Sequence, residues 1–281
     1  MPSTLITCPT CNKSGKIEIL EEKMREATKG LLAINIASNI ICEHSFIVYI
    51  DRNLTIRDYF VADFHIDIPK IESIERIKET NISSKDILDV DLIKLNLHAL
   101  ALSIILKSIF LKKKIILLLD QDFLYKHIYS FFKYITKDAF EINILLITSD
   151  EYKNTKKQYK DAIVLEQNKI VQNPKKVINL RNLDVEKNIV NQFLIEPELG
   201  YSYIFLKNQI YKAYELSKAI YEFAKNQDNK KEINIFKIAH FLEELYGIKI
   251  DLVYLEFLIN IVSNYFGIEI PSASESFLGG L

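Results

Sequence analysis

Cysteine placement constrains this chain more than any other feature. All three thiols, Cys8, Cys11 and Cys42, lie near the start of a 281-residue sequence, and two of them share the turn "CPTC". His44 stands two residues after Cys42 in "IICEHSFIVYID". Zinc takes four nitrogen or sulfur ligands in a tetrahedron, with sulfur at about 2.3 Å and nitrogen at about 2.0 Å. Cys8 and Cys11 supply two thiolates from one tight turn, which Pro9 stiffens. Cys42 and His44, two apart, point to one side of a strand. The stretch between the two pairs is long enough for a β-hairpin that brings the second over the first. Four protein ligands leave no open position for a water nucleophile, so a zinc ion here is read as structural rather than catalytic.

The arrangement over residues 8–44 resembles a zinc ribbon, with C-x-H in place of the commoner C-x2-C in its second half. That departure keeps two candidates for the fourth ligand open, His44 and His65. The phrase "CEHSFIVYIDRNLTIRDYFVADF" is similar to an N-terminal module of uncharacterised archaeal proteins. What the resemblance implies is a zinc-bound β module, and it brings no activity with it.

Three cysteines, an odd number, argue against a secreted disulfide framework. No basic stretch followed by an apolar one marks a signal peptide at the N-terminus, and a cytoplasmic protein is expected. Lys and Arg number 36 against 37 Asp and Glu, a formal net charge of -1. That balance gives no global attraction to nucleic acid or to an anionic membrane. The most apolar stretch, residues 92–114, carries Lys94, Asn96, His98 and Lys107. Each charge at a bilayer centre costs roughly 3 kcal/mol, so no membrane span is expected there. Leu92, Leu95, Ala99, Leu102, Leu106 and Ile109 recur at helical spacing, which predicts one continuous buried helix.

The predicted class is α+β or α/β, multidomain. Residues 1–68 form a zinc-binding β module and 69–86 a linker. Residues 87–200 form an α/β domain, and 201–281 a helical domain with a flexible tail. "KGLLAINIAS", "HSFIVYID" and "LTIRDYFVADFHI" read as strands, the last two joined by a turn at Arg52-Asn53. "KIILLLD", "FEINILLITS" and "DAIVLE" read as buried strands alternating with helices, hence a parallel or mixed sheet. A hairpin about Asn168-Lys169 and a further strand at "KVINL" are expected after them. Beyond Gly200 lie one long amphipathic helix and a helix pair joined through Gly247, each member stopped by a glycine.

Two further constellations carry chemistry. Asp120 and Asp122 follow one apolar strand and Glu166 another, and carboxyl ends of parallel strands meet at one edge. These acids resemble those of a response-regulator receiver, which implies a Mg²⁺ ion. The pair is split by Gln121, however, the acceptor is a glutamate, and the later units with their lysine are not recognisable. Lysines at 112–114, 153–160 and 175–176, with Arg181, are interleaved with acids and read as a solvated surface. His98, His127 and His240 fall in helical apolar patterns and read as packing residues. No P-loop, dinucleotide fingerprint or H-E-x-x-H is present.

With a closed metal site and no complete catalytic constellation, the expected function is a non-enzymatic zinc-containing adaptor or regulatory protein. It acts through protein partners, with the helical region as the partner surface. Two alternatives stay open. One is a nucleic-acid-associated zinc-ribbon protein. The other is a Mg²⁺-dependent enzyme or degenerate receiver-like domain using the Asp120, Asp122 and Glu166 edge.

Overall fold

The computed structural model describes residues 2–19, 31–36, 40–44, 46–51, 53–61, 84–227 and 233–270. The candidate ligand His65, most of the expected linker 69–86 and the tail from 271 lie outside the described residues.

Among the described residues three small sheets organise the strands. β1 (Ser3–Thr7) and β2 (Ser14–Glu18) form an antiparallel pair that carries the CPTC turn at its tip. β3 (Leu31–Ile36), β4 (Phe46–Asp51) and β5 (Ile56–Val61) form an antiparallel sheet with β4 in the middle. β4 is apolar on both faces for a structural reason. Phe46, Val48 and Ile50 pack into a small core with Ile6, Ile19 and Ile36, whereas Ile47 and Tyr49 join the large core of the body. The β4–β5 turn is held by the Asp51 carboxylate, which accepts the backbone N–H groups of Asn53 at 2.8 Å and Thr55 at 2.9 Å.

The body begins with α1 (Ser84–Asn96) and α2 (Ala99–Phe110). It continues through β6 (Ile115–Leu118), α3 (Phe123–Ile135), β7 (Ile144–Ile147), α4 (Ser149–Thr155), β8 (Ile163–Glu166) and β9 (Lys169–Gln172). The order across this sheet is β7-β6-β8-β9, parallel except for the β8–β9 hairpin, so the expected mixed sheet forms. β6 is covered on both sides. Ile115 and Leu117 face the large helical core, while Ile116 and Leu118 face a smaller cluster with Val164 and Tyr152. Four helices follow among the described residues: α5 (Asp184–Ile195), α6 (Leu199–Lys225), α7 (Ile235–Tyr246) and α8 (Leu252–Ile261). α7 ends at Gly247, and a π-helical turn continuing α8 ends at Gly267; both glycines adopt the left-handed conformation.

Two sequence expectations need correction. The stretch 92–114 is not one helix: α1 and α2 meet at an angle of 114°, Leu95 is 40% exposed, and His98 is extended between them. The break is stabilised from both sides. The Asn96 side chain turns back to the Leu92 carbonyl at 2.7 Å, and the first N–H of α2, on Ala99, donates to Tyr49 Oη at 3.3 Å. Among the described residues no single helix is long and apolar enough to cross a membrane. "KVINL" is not a strand. Asn173 bonds both backbone groups of Ile178, accepting its N–H at 3.0 Å and donating to its carbonyl at 2.8 Å, and single 3-10 turns replace the ladder. A short side chain that satisfies the backbone locally competes with sheet pairing.

Candidate metal centre and an adjoining cleft

The CPTC turn is a compact knuckle. Cys8 N–H donates to the Lys13 carbonyl at 2.8 Å and Asn12 N–H to the Cys8 carbonyl at 2.9 Å, closing the loop over the two thiols. Asn12 sits at φ 59, the left-handed region that Asn tolerates better than most residues. At the foot of the knuckle Gly15 lies against Ile41, just ahead of the second pair. A Cβ there would stand 2.7 Å from Ile41 Cγ1, so a larger residue requires the Ile41 side chain or the knuckle to shift.

Cys42 and His44 lie in that bend, ahead of β4, and not in a strand as expected. In a strand, residues two apart are separated by about 6.6 Å along the chain. The bend draws Cys42 Sγ and His44 Nδ1 to 3.6 Å. Cys8, Cys11, Cys42 and His44 then offer three sulfurs and one nitrogen, all within 4.8 Å of one another. A tetrahedron with zinc bond lengths has S···S edges of about 3.8 Å and S···N edges of about 3.5 Å. The four residues therefore lie close enough to hold a metal ion, and the donor set suits zinc.

The thiols of the cluster do not ionise independently. Burial raises the cost of a Cys8 thiolate, yet backbone bonds from Cys11 and Thr10 and the thiols of Cys42 and Cys11 outweigh it, bringing Cys8 down to about 7. Cys42 is pushed up to about 11, first by burial and then by the Cys8 and Cys11 sulfurs. Ionising one thiol thus holds its neighbour protonated. A dication removes that conflict, because metal binding releases the protons and neutralises adjacent thiolates.

The second feature is a cleft of about 850 Å³ at the carboxyl ends of β6 and β8. The chain leaves β6 for β7 on one side and crosses back to β8 on the other, so the loops after β6 and β8 diverge there. Such a switch point is where open α/β sheets bind ligands. Asp120 and Gln121 follow β6, and Glu166 and Gln167 end β8, together forming one rim. Lys94 and His98, at the α1–α2 break, also line it, with Lys169, Glu196 and, from the β module, Ile47 and Tyr49.

Ser149 Oγ donates to Glu166 Oε1 at 3.1 Å. Lys94 Nζ donates to the Glu196 carbonyl at 2.6 Å and lies 5.0 Å from the centre of the Phe193 ring. Burial draws Lys94 down to about 8, against the charges of Glu196 and Asp91. His98 is also lowered by burial, against Asp58, and its ring meets Tyr49 edge-on at 5.1 Å.

The acidic trio of the sequence is only partly assembled. Asp120 and Glu166 share the cleft, but Asp122 lies outside its lining and its side chain caps no N–H at the start of α3. The three form no group of metal-ligand geometry. The histidines divide as well. His98 is half-buried and His127 pairs with the buried Asp89, whereas His240 is 71% exposed beside Glu244 and does not pack. Lys94, Ser149 and Glu196 were not singled out as site residues from the sequence. They reach the cleft from separate elements, and only the position of Ser149 just after an apolar strand gave a local signal. Comparison with protein-family models, curated proteins and solved structures returned no match.

Proposed function

We propose that this chain is a non-enzymatic, zinc-containing adaptor or regulatory protein. A structural zinc ion held by Cys8, Cys11, Cys42 and His44 organises its N-terminal β module. The observation that carries the proposal is the convergence of those four donor atoms within 4.8 Å. Four protein ligands fill a tetrahedral shell and leave no place for a reacting water. Among the described residues the β module's own core is small: six aliphatic and aromatic residues are buried in it beside Cys8 and Cys42. A core of that size gains its stability from metal binding, on the order of 10 kcal/mol in apparent terms.

Partner binding is assigned to the helical region. Phe236, Leu245, Leu252 and Val253, near the ends of α7 and the start of α8, are exposed apolar residues of the kind that interaction surfaces use. A cytoplasmic setting accords with three free thiols. The test is affinity capture from native lysate with the zinc-loaded chain beside a Leu245→Glu/Leu252→Glu variant. The adaptor proposal expects a protein retained by the first and lost by the second. No retained protein, with monomeric behaviour at high concentration, overturns it.

A further inference from the structure

We propose that the metal centre controls the cleft. With zinc bound, β4 is held so that Tyr49 braces the α1–α2 break; without zinc, that brace and one wall of the cleft are lost. The inference rests on the structural-zinc reading and gives that site a regulatory output.

The two sites share one strand. Cys42 and His44 lie just ahead of β4, which starts at Phe46. From His44 to Tyr49 the chain spans at most roughly 18 Å. β4 is the central strand of its sheet, so its placement sets those of β3 and β5. Its side chains then divide. Phe46, Val48 and Ile50 enter the small core, while Ile47 and Tyr49 join the core of the body and line the cleft beside Leu32 and Asn35 of β3.

The apolar pattern of β4 does not select its register. A one-residue slip moves every side chain of a strand to the opposite face, and polar alternation is what normally forbids it. "FIVYI" is apolar throughout, so the pattern favours neither face for either core. Register then depends on what pins the two ends of the strand. Asp51 holds the turn to β5, and the metal ligands hold the other end. The small core offers little to replace that second pin, because in a module of this size metal binding is folding free energy.

The body depends on this placement. Ala99 is fully buried, and its N–H, the first of α2, has Tyr49 Oη at 3.3 Å as its acceptor. The His98 ring meets the same side chain edge-on at 5.1 Å. A buried helix start that loses its acceptor is costly, so withdrawal of Tyr49 favours local opening of the break. Lys94, Leu95, Leu97 and His98 at the break line the cleft, and its shape follows theirs. A second polar link between module and body, from Asn168 Nδ2 to Asp58 Oδ2 at 3.4 Å, is long and exposed and cannot replace the first.

The test is amide hydrogen exchange of the full-length chain, zinc-loaded and after chelation, with metal content measured alongside. Removing zinc should speed exchange at Ala99 by about tenfold or more, and returning zinc should restore protection. Exchange in α7, which packs against α6, should not change. In Tyr49→Phe, Ala99 should exchange fast with and without zinc. A chain that carries zinc, loses it to the chelator and keeps Ala99 protected overturns the coupling while the zinc reading stands. A chain that never carries zinc removes the reading and the coupling together. Exchange that rises across the whole body, α7 included, also overturns the proposal, because it reports global unfolding. So does a Tyr49→Phe chain whose Ala99 still responds to zinc as the parent does. If that variant fails to fold, the parent chain's response to chelation and to returned zinc decides the matter.

Discussion

Replacing Lys107 by methionine removes the cation from the one Lys–Glu ion pair enclosed within the body among the described residues. Lys107 Nζ on α2 lies 3.1 Å from Glu186 Oε1 on α5, where the Glu186 side chain is 1% exposed, and it stands 5.9 Å from the centre of the Phe257 ring. The methionine fills a similar volume, so the change isolates charge from packing. It strands a carboxylate in the interior, and breaking a buried pair from one side costs about 3–5 kcal/mol. Lys107→Met combined with Glu186→Leu removes both desolvated groups and should return stability close to the parent value.

The pH dependence has a definite sign. Burial pushes the Glu186 carboxyl above its ordinary range, against the pull of Lys107. Without Lys107 the group moves higher still. A raised pKa in the folded state means stability is fully present below the unfolded value and is lost as pH rises through the folded one. The deficit of Lys107→Met should therefore be smaller at pH 5 than at pH 8. Urea denaturation followed by circular dichroism at both pH values measures all three quantities. A single-variant loss under about 1 kcal/mol, a double variant no better than the single, or a deficit that does not change with pH would refute the reasoning.

Other changes test the remaining parts of the molecule. Gly15→Ala forces the knuckle away from Ile41 and should lower stability by about 1–3 kcal/mol, as overpacking does, with weaker metal retention in a chelator competition. Tyr49→Phe leaves the Ala99 N–H of α2 without its acceptor and should cost about 1–3 kcal/mol in a urea titration. The same phenol is pushed up to about 12 by burial, and burial raises Tyr203 and Tyr254 as well, so alkaline difference absorbance should show several tyrosines titrating late, one fewer in that variant. Asp251→Ala removes the side chain that accepts Val253 N–H at 2.7 Å at the start of α8, and should cost about 1 kcal/mol.

Much of the fold is legible in the sequence because burial leaves a local imprint. The runs "FIVYI" and "IILL" are apolar on both faces because each strand lies between two clusters, and they read as strands without further information. The knuckle and its distant partner pair are legible because few residue types bind zinc. What escaped was set by long-range or side-chain contacts. The α1–α2 break depends on Tyr49, fifty residues away, accepting the Ala99 N–H, and nothing in "LNLHALAL" announces that acceptor. The strand read at "KVINL" was displaced by Asn173 binding the backbone of Ile178. α5 is a different case. Val185, Ile189 and Phe193 recur at helical spacing and are buried, a signal present in the sequence but diluted by the intervening Asn and Gln residues. The cleft was half legible: Asp120 and Glu166 follow from the ends of apolar strands, whereas Lys94 joins them only through the angle at that break.

The metal centre is tested most directly by elemental analysis of the purified chain combined with X-ray absorption at the zinc edge. The convergence of Cys8, Cys11, Cys42 and His44 predicts one zinc per chain, with three sulfurs at about 2.3 Å, one nitrogen at about 2.0 Å and no bound solvent. A chain folded without metal, or an ion carrying an oxygen ligand in place of one of these four, would contradict it.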